Sequence, residues 1–143
     1  MIEHFFQGRK QPEINDAFEV RKVVFIDEQG FEADIDELDD NAYHMVLYDH
    51  AKPVATGRLI IVSEQQAKIG RVAVLSSYRG KKVGLMLMKA LIQKAQALQI
   101  TQLSLSSQLQ AQAFYQKVGF APCSEVYLEE GVEHIYMCYQ GDK

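Results

Sequence analysis

From residue 82 to residue 98 the apolar side chains Val83, Leu87, Ala90, Leu91 and Leu98 recur at helical spacing, with no Gly or Pro after Gly84. A run of this period and length is an amphipathic helix, which has to bury one stripe against another element. The segments before it are β-rich. Residues 44–48 and 54–62, joined by Asp49-His50-Ala51-Lys52-Pro53, predict an antiparallel pair, and residues 69–75 predict a further strand. A helix entered from strands needs a sheet to lie on, so the expectation is one sheet covered by helices.

The flanks extend this pattern. Ile14, Ala17, Phe18, Val24 and Phe25 predict a first helix of about 14 residues with Pro12 in its first turn, preceded by a short strand over residues 2–6. Leu103 and Leu105 alternate with Ser104 and Ser106 as a half-buried strand, and residues 111–118 read as a short helix stopped by Gly119. Residues 126–128 and 135–139 close the chain as a hairpin around Glu129-Glu130-Gly131. The element order is therefore βα, three strands, then αβαββ. It predicts an α+β (mixed α/β) single domain over residues 1–143, with a central, mostly antiparallel twisted sheet of about six to seven strands flanked by helices.

The 143 residues, 48% hydrophobic and 24% charged, can build a core without staples. A net charge of −4 argues against a nucleic-acid binder that relies on a globally basic surface. Cys123 and Cys138 have no Cys-x-x-Cys spacing and no paired His, so neither a zinc site nor a disulfide framework is expected, and a reducing cytoplasm fits best. No apolar run reaches membrane-spanning length, and the start lacks a signal-peptide pattern. Residues 32–40 hold six acids in nine positions, a density that predicts a solvated surface loop. Asp34-x-Asp36 begins like a calcium loop, but Leu38 stands at the next ligand position and the required Gly is absent, so no metal site is expected.

Tyr78-Arg79-Gly80-Lys81-Lys82-Val83-Gly84 lies between a strand and a helix, where free backbone N–H groups and the helix dipole favour an anion. It is not a Walker A loop, which would need Gly at position 75 and Ser or Thr at position 82 in place of Leu75 and Lys82, and it is not a Rossmann Gly-x-Gly-x-x-Gly. Taken together with Phe114-Tyr115-Gln116-Lys117-Val118-Gly119-Phe120 downstream, the turn resembles the GNAT acetyltransferase superfamily. The family's loop runs Gln/Arg-x-x-Gly-x-Gly/Ala; Arg79 and Gly84 match it and Lys82 replaces the middle Gly, where a residue of ordinary φ is expected. Val24-Phe25-Ile26-Asp27-Glu28-Gln29, Glu37-Leu38-Asp39 and Ala42-Tyr43-His44 look like the ElaA-like bacterial subgroup.

The resemblance implies a cofactor cleft between the strand ending near Leu75 and the strand ending near Ser107. It implies that Val72, Ala73 and Val74 pair their main chain with the pantetheine arm of acetyl-CoA as cosubstrate. Arg79, Gly80, Lys81, Lys82, Val83 and Gly84 would hold the pyrophosphate, Gln108 would be a polar cofactor-binding position at the end of the following strand, Phe114 and Tyr115 would be the aromatic pair lining the thioester end, and Lys117 would reach an outer phosphate. Tyr115 would assist the departing thiolate. The acceptor would be a small-molecule or peptide amine attacking directly in a ternary complex, with the protein a monomer or homodimer and neither nucleic acid nor membrane a partner.

An amine of pKa ~10.4 needs about 4.6 kcal/mol to deprotonate at pH 7, so a general base is worth seeking. Glu28, His44 and His134 are the candidates, and the acidic run, with Asp34, Asp36, Glu37, Asp39 and Asp40, is a candidate attractor for a cationic acceptor. The competing reading is a catalytically silent acyl-CoA-binding or interaction module.

Overall fold

The computed structural model describes residues 1–141. β1 (Ile2–Gln7) leads into α1 (Ile14–Arg21), followed by β2 (Tyr43–Asp49), β3 (Lys52–Ser63), β4 (Gln66–Val74), α2 (Val83–Ala97), β5 (Gln102–Gln108), α3 (Gln112–Lys117), β6 (Phe120–Pro122), β7 (Tyr127–Glu129) and β8 (Val132–Tyr139). All eight strands join one sheet in the order β1-β2-β3-β4-β5-β8-β6, with β7 also on β8. Only β4 and β5 run parallel; the other pairs are antiparallel. A mixed sheet flanked by helices is the expected architecture.

The sheet is covered on both faces where β2 and β3 lie, so its side chains alternate between two cores. Met45 and Leu47 join the core under α2, with Leu87, Met88 and Leu91, while Val46 between them packs with Phe6, Ile14 and Ala17 under α1. The helical period of Leu87 and Leu91 thus does what the sequence predicts, each fully buried side chain being worth roughly 1.5–3 kcal/mol. Gly57 lets α2 approach closely, since a Cβ there would stand 2.7 Å from a Leu91 methyl group.

Three expectations need correction. The first helix starts after Pro12, which sits in the preceding turn with its carbonyl accepting from Asn15 N. It ends as α-helix at Arg21, and residues Lys22–Glu28 continue in wider π-type turns. This stretch is rich in β-branched Val23, Val24 and Ile26, which crowd a regular helix.

The second correction is the acidic run. Asp39 is completely buried and Asp34 nearly so. Arg21 donates to Asp34 Oδ2 (2.6 Å) and to both Asp39 oxygens (2.8 and 3.0 Å), and Arg58 donates to Asp36 Oδ1 (2.6 Å) and Asp39 Oδ1 (2.8 Å). Asp34, Asp36 and Asp39 thus form a largely buried ion network rather than part of a solvated loop, because their counter-ions arrive from α1 and β3, while Glu32, Glu37 and Asp40 are exposed as expected. Leu38 N caps onto Asp36 Oδ1, and Asp36 N onto Asp39 Oδ2, which fixes the short turn Glu37–Asp40.

The third is that Cys123 and Cys138 form a disulfide, their Cα atoms 5.9 Å apart. β6, a three-residue strand too short to show a periodicity, pairs with the end of β8, and Cys123 N then bonds Tyr136 O (2.9 Å). That pairing lays Cys123 beside Cys138.

Candidate active site

β4 and β5 are paired only from Gln66↔Gln102 to Ile69↔Leu105, and beyond that they separate. The cause sits on the other edge of β4. Its register with β3 passes from Arg58↔Gly70 to Thr56↔Ala73, so that Arg71 and Val72 together oppose Gly57. This is a β-bulge, with Arg71 at φ +50°, and a bulge bends and twists its strand. A cavity of about 670 Å³ opens in the resulting gap. It is walled by Val72 and Arg71 of β4, Leu105, Ser106 and Gln108 of β5, Tyr115 of α3, His134 of β8, the turn residues Glu129 and Glu130, and Gln29, Phe31 and Asp36 from the N-terminal half. The cleft therefore lies between the two strands named from the sequence.

The segment that closes one end of the gap is the turn from β4 to α2. Arg79 Nε donates to Val74 O (2.9 Å), and its two terminal nitrogens grip the Glu28 carboxylate, one at 2.8 Å. That grip holds Glu28 below the usual carboxylate range. Both groups are about two-fifths exposed, so the pair is worth ~0–1 kcal/mol and acts chiefly as a clasp between the π-type turns and β4. Gly80 (φ +74°) and Lys82 (φ +65°) are both left-handed. Lys82 thus departs from the ordinary φ expected at the position where the family has Gly; a side chain there costs roughly 1–2 kcal/mol. α2 begins after it with no side-chain cap, so its first N–H groups lack a side-chain acceptor, the usual setting for an anion. Gly84 serves packing: a Cβ would meet Phe114 Cζ at 3.2 Å.

Tyr115 is 9% exposed, edge-on to Phe114 and Phe120, and no described residue hydrogen-bonds its hydroxyl. Burial pushes its pKa up to about 12, so it is a neutral phenol at any working pH. His134 Nδ1 lies 2.8 Å from Val132 O, and since a carbonyl only accepts, Nδ1 carries the proton. In the neutral ring Nε2 is then an unprotonated acceptor, 3.6 Å from Glu129 Oε2. Tyr127 stacks on both His134 and Tyr136 and shares a hydrogen bond with Ser106 of β5 across β8.

Of the remaining sequence candidates, His44 and Lys117 fall elsewhere and Gln108 does not. His44 is buried on the α1 face with Nε2 donating to Asp39 O (3.1 Å), and burial lowers its pKa; it does not line the cleft. Lys117 borders a separate hollow of about 330 Å³ beside Lys89 and Gln93. Gln108 lines the cleft and donates to Gln29 Oε1 (3.1 Å), bridging β5 to the segment after the π-type turns. The sequence reading missed Arg71, Gln29 and Glu129 as cleft residues. A glycine inside a predicted strand, Gly70, is the one local sign of the bulge.

The sequence model described as "Acetyltransferase (GNAT) domain" matches residues 11–140. The chain belongs to the GNAT acetyltransferase family. It is 38% identical to the uncharacterized N-acetyltransferase YjcF of Bacillus subtilis over 91% of this chain and 94% of that protein. The crystal structure of Escherichia coli ElaA is similar at a TM-score of 0.88 and 28% identity, covering 97% of this chain and 99% of that one. An acyl-CoA N-acyltransferase from Pseudomonas aeruginosa is similar at 0.86 and 31%, covering 97% and 99%. In this GNAT chain the splayed strands, Tyr115 and, from the turn before α2, Arg79 line one cavity.

Proposed function

We propose that the protein transfers an acetyl group from acetyl-CoA to a primary amine by direct attack in a ternary complex. The observation that carries this reading is the gap between β4 and β5, where one strand edge lies open next to an uncapped helix start. Main-chain groups of Val72 and the N–H of Val74 are available to an extended pantetheine arm, as an added strand would use them, while Val74 O is taken by Arg79 Nε and Ala73 pairs with Thr56 of β3. The turn 79–84 faces the pyrophosphate; Gly80 and the α2 N–H groups donate, and Lys81 and Lys82 supply charge.

The amine nitrogen attacks the thioester carbonyl carbon, the C–S bond breaks with its electron pair on sulfur, and the nitrogen proton goes to His134 Nε2. Nε2 suits this role because Nδ1 is committed to Val132 O. Moving a proton from a phenol of pKa about 12 to a thiolate of pKa ~8.5 is uphill by about 5 kcal/mol. Tyr115 therefore stabilises the leaving sulfur by a hydrogen bond and keeps its proton, while the thiolate is protonated later from water. Glu28, held ionised by Arg79, is a structural clasp on this reading.

The test is release of free CoA thiol from acetyl-CoA in the presence of an amine panel, with the acceptor's gain of one acetyl group read by mass spectrometry. Thiol release that depends on the acceptor supports transfer. Binding of acetyl-CoA without release by any amine favours the silent-module reading.

A further inference from the structure

Arg71 stands at the bulge that opens the cleft, in a left-handed conformation that glycine would adopt without strain. A bulge alone does not require arginine, so the side chain is the feature to explain. Its donors are unevenly used. Nε donates to Asp34 O (2.8 Å) and Nη2 to Asp36 Oδ2 at a longer 3.3 Å, while Nη1 has no partner among the described residues. Asp36 Oδ2 also accepts from Arg58 Nη2 at 3.0 Å. In the network Arg21 holds Asp34 and Asp39, Arg58 holds Asp36 and Asp39, and Arg71 is left with a share of one carboxylate oxygen. It lines the cavity and is about a third exposed.

Burial together with the positive neighbours Arg58 and Arg21 lowers the Arg71 pKa from its ordinary value, so the cation would gain from an added negative charge. The opposite wall carries the reverse sign. Glu129 and Glu130 border the same cavity from the β7–β8 turn, with Glu129 beside His134. Asp34 and Asp36 also line the cavity beside Arg71 but are already held by Arg21 and Arg58, so the unused N–H of the Arg71 guanidinium on the β4 side stands opposite the carboxylates around the candidate base on the β8 side.

We infer that the acceptor is an amine that also carries a carboxylate, an amino-acid-like molecule whose carboxylate is bound by Arg71 and whose amine lies toward His134 and Glu129. The inference rests on the acetyltransferase reading and adds the acceptor class. Arg71 binds; it takes no part in proton transfer.

The experiment offers free amino acids, their carboxamides and the matching decarboxylated amines as acceptors to the wild-type protein, to Arg71→Gln and to Arg71→Lys, following thiol release. A charge-assisted hydrogen bond to a carboxylate predicts an acceptor KM for the amino acids that rises about tenfold or more in Arg71→Gln, with the carboxamides changed little. Arg71→Lys, which keeps the charge, should recover part of the loss. Acetyl-CoA affinity, read as a thermal shift, should stay as in the wild type; this also reports that each variant is folded. Equal use of amino acids and carboxamides by the wild type overturns the inference. So does a loss in Arg71→Gln that falls equally on both, or on acetyl-CoA affinity. If acetyl-CoA binds and only amines without a carboxylate release thiol, the inference fails while the acetyltransferase reading stands. If acetyl-CoA does not bind at all, both fail.

Discussion

Substituting Asp39 by Asn removes the charge at the centre of the buried network while keeping the side chain's shape. The carboxylate accepts from Arg21 Nη1 (2.8 Å) and Nη2 (3.0 Å), Arg58 Nη1 (2.8 Å) and Asp36 N (3.1 Å), and is wholly out of water. Asn can present only one oxygen to these donors and turns an N–H₂ toward the rest, leaving two guanidinium groups short of an anion. Breaking a buried pair from one side costs ~3–5 kcal/mol, out of a total stability of ~5–15 kcal/mol. At roughly 2–4 °C per kcal/mol, a loss of ~4 kcal/mol lowers Tm by roughly 8–16 °C.

The pH dependence follows in sign. Burial alone would raise the Asp39 pKa, but hydrogen bonds and charge from Arg21, with help from Arg58, hold it well below the usual carboxylate range; Asp36 is lowered chiefly by its hydrogen bonds from Arg58. Groups depressed on folding stabilise fully above their unfolded pKa of ~3.9, and this stability is lost as pH falls toward the folded values. Wild-type Tm should drop steeply below about pH 4, and Asp39→Asn should show a flatter acid limb. Differential scanning fluorimetry from neutral to acidic pH reads both. A variant Tm within about 2 °C of the wild type at pH 7, with an unchanged acid limb, would refute the claim that the network is buried and coupled.

Lys82→Gly should raise stability by about 1 kcal/mol, seen in the denaturant midpoint, because glycine takes the left-handed φ freely. Tyr115→Phe should lower kcat by about tenfold or more with the acetyl-CoA KM unchanged, since the lost hydrogen bond acts on the leaving sulfur. His134→Gln should lower kcat by about a hundredfold or more, the usual contribution of a general base, while Glu28→Gln should change it little. Reducing agent should lower Tm, the Cys123–Cys138 link closing a loop of 15 residues worth ~3 kcal/mol, and Cys123→Ser should remove that response.

What was legible in the sequence was what local periodicity encodes. Val83, Leu87 and Leu91 identified α2, Leu103 and Leu105 identified β5, and the junction between β4 and α2 located the cleft's end. What escaped depended on contacts far apart in the chain. The acids at 34, 36 and 39 look solvated until Arg21, Arg58 and Arg71 reach them, across as many as 37 positions. The disulfide follows from β6, whose three residues carry no readable alternation. His134 could be named as a base candidate, but its free nitrogen depends on Val132 O. Arg71 reads as one strand residue among others, because a bulge is a property of two strands in register.

Amide hydrogen exchange with and without acetyl-CoA tests the central claim most directly. The account predicts slowed exchange confined to the open edge of β4, at Val72 and Val74, and to the turn and first residues of α2 from Gly80 to Leu85. At a concentration a hundred times Kd, binding is worth about 2.7 kcal/mol to the bound state, enough to slow those amides by up to about a hundredfold. Unchanged exchange in both segments at saturating acetyl-CoA, or protection confined to the hollow beside Lys117, would contradict it.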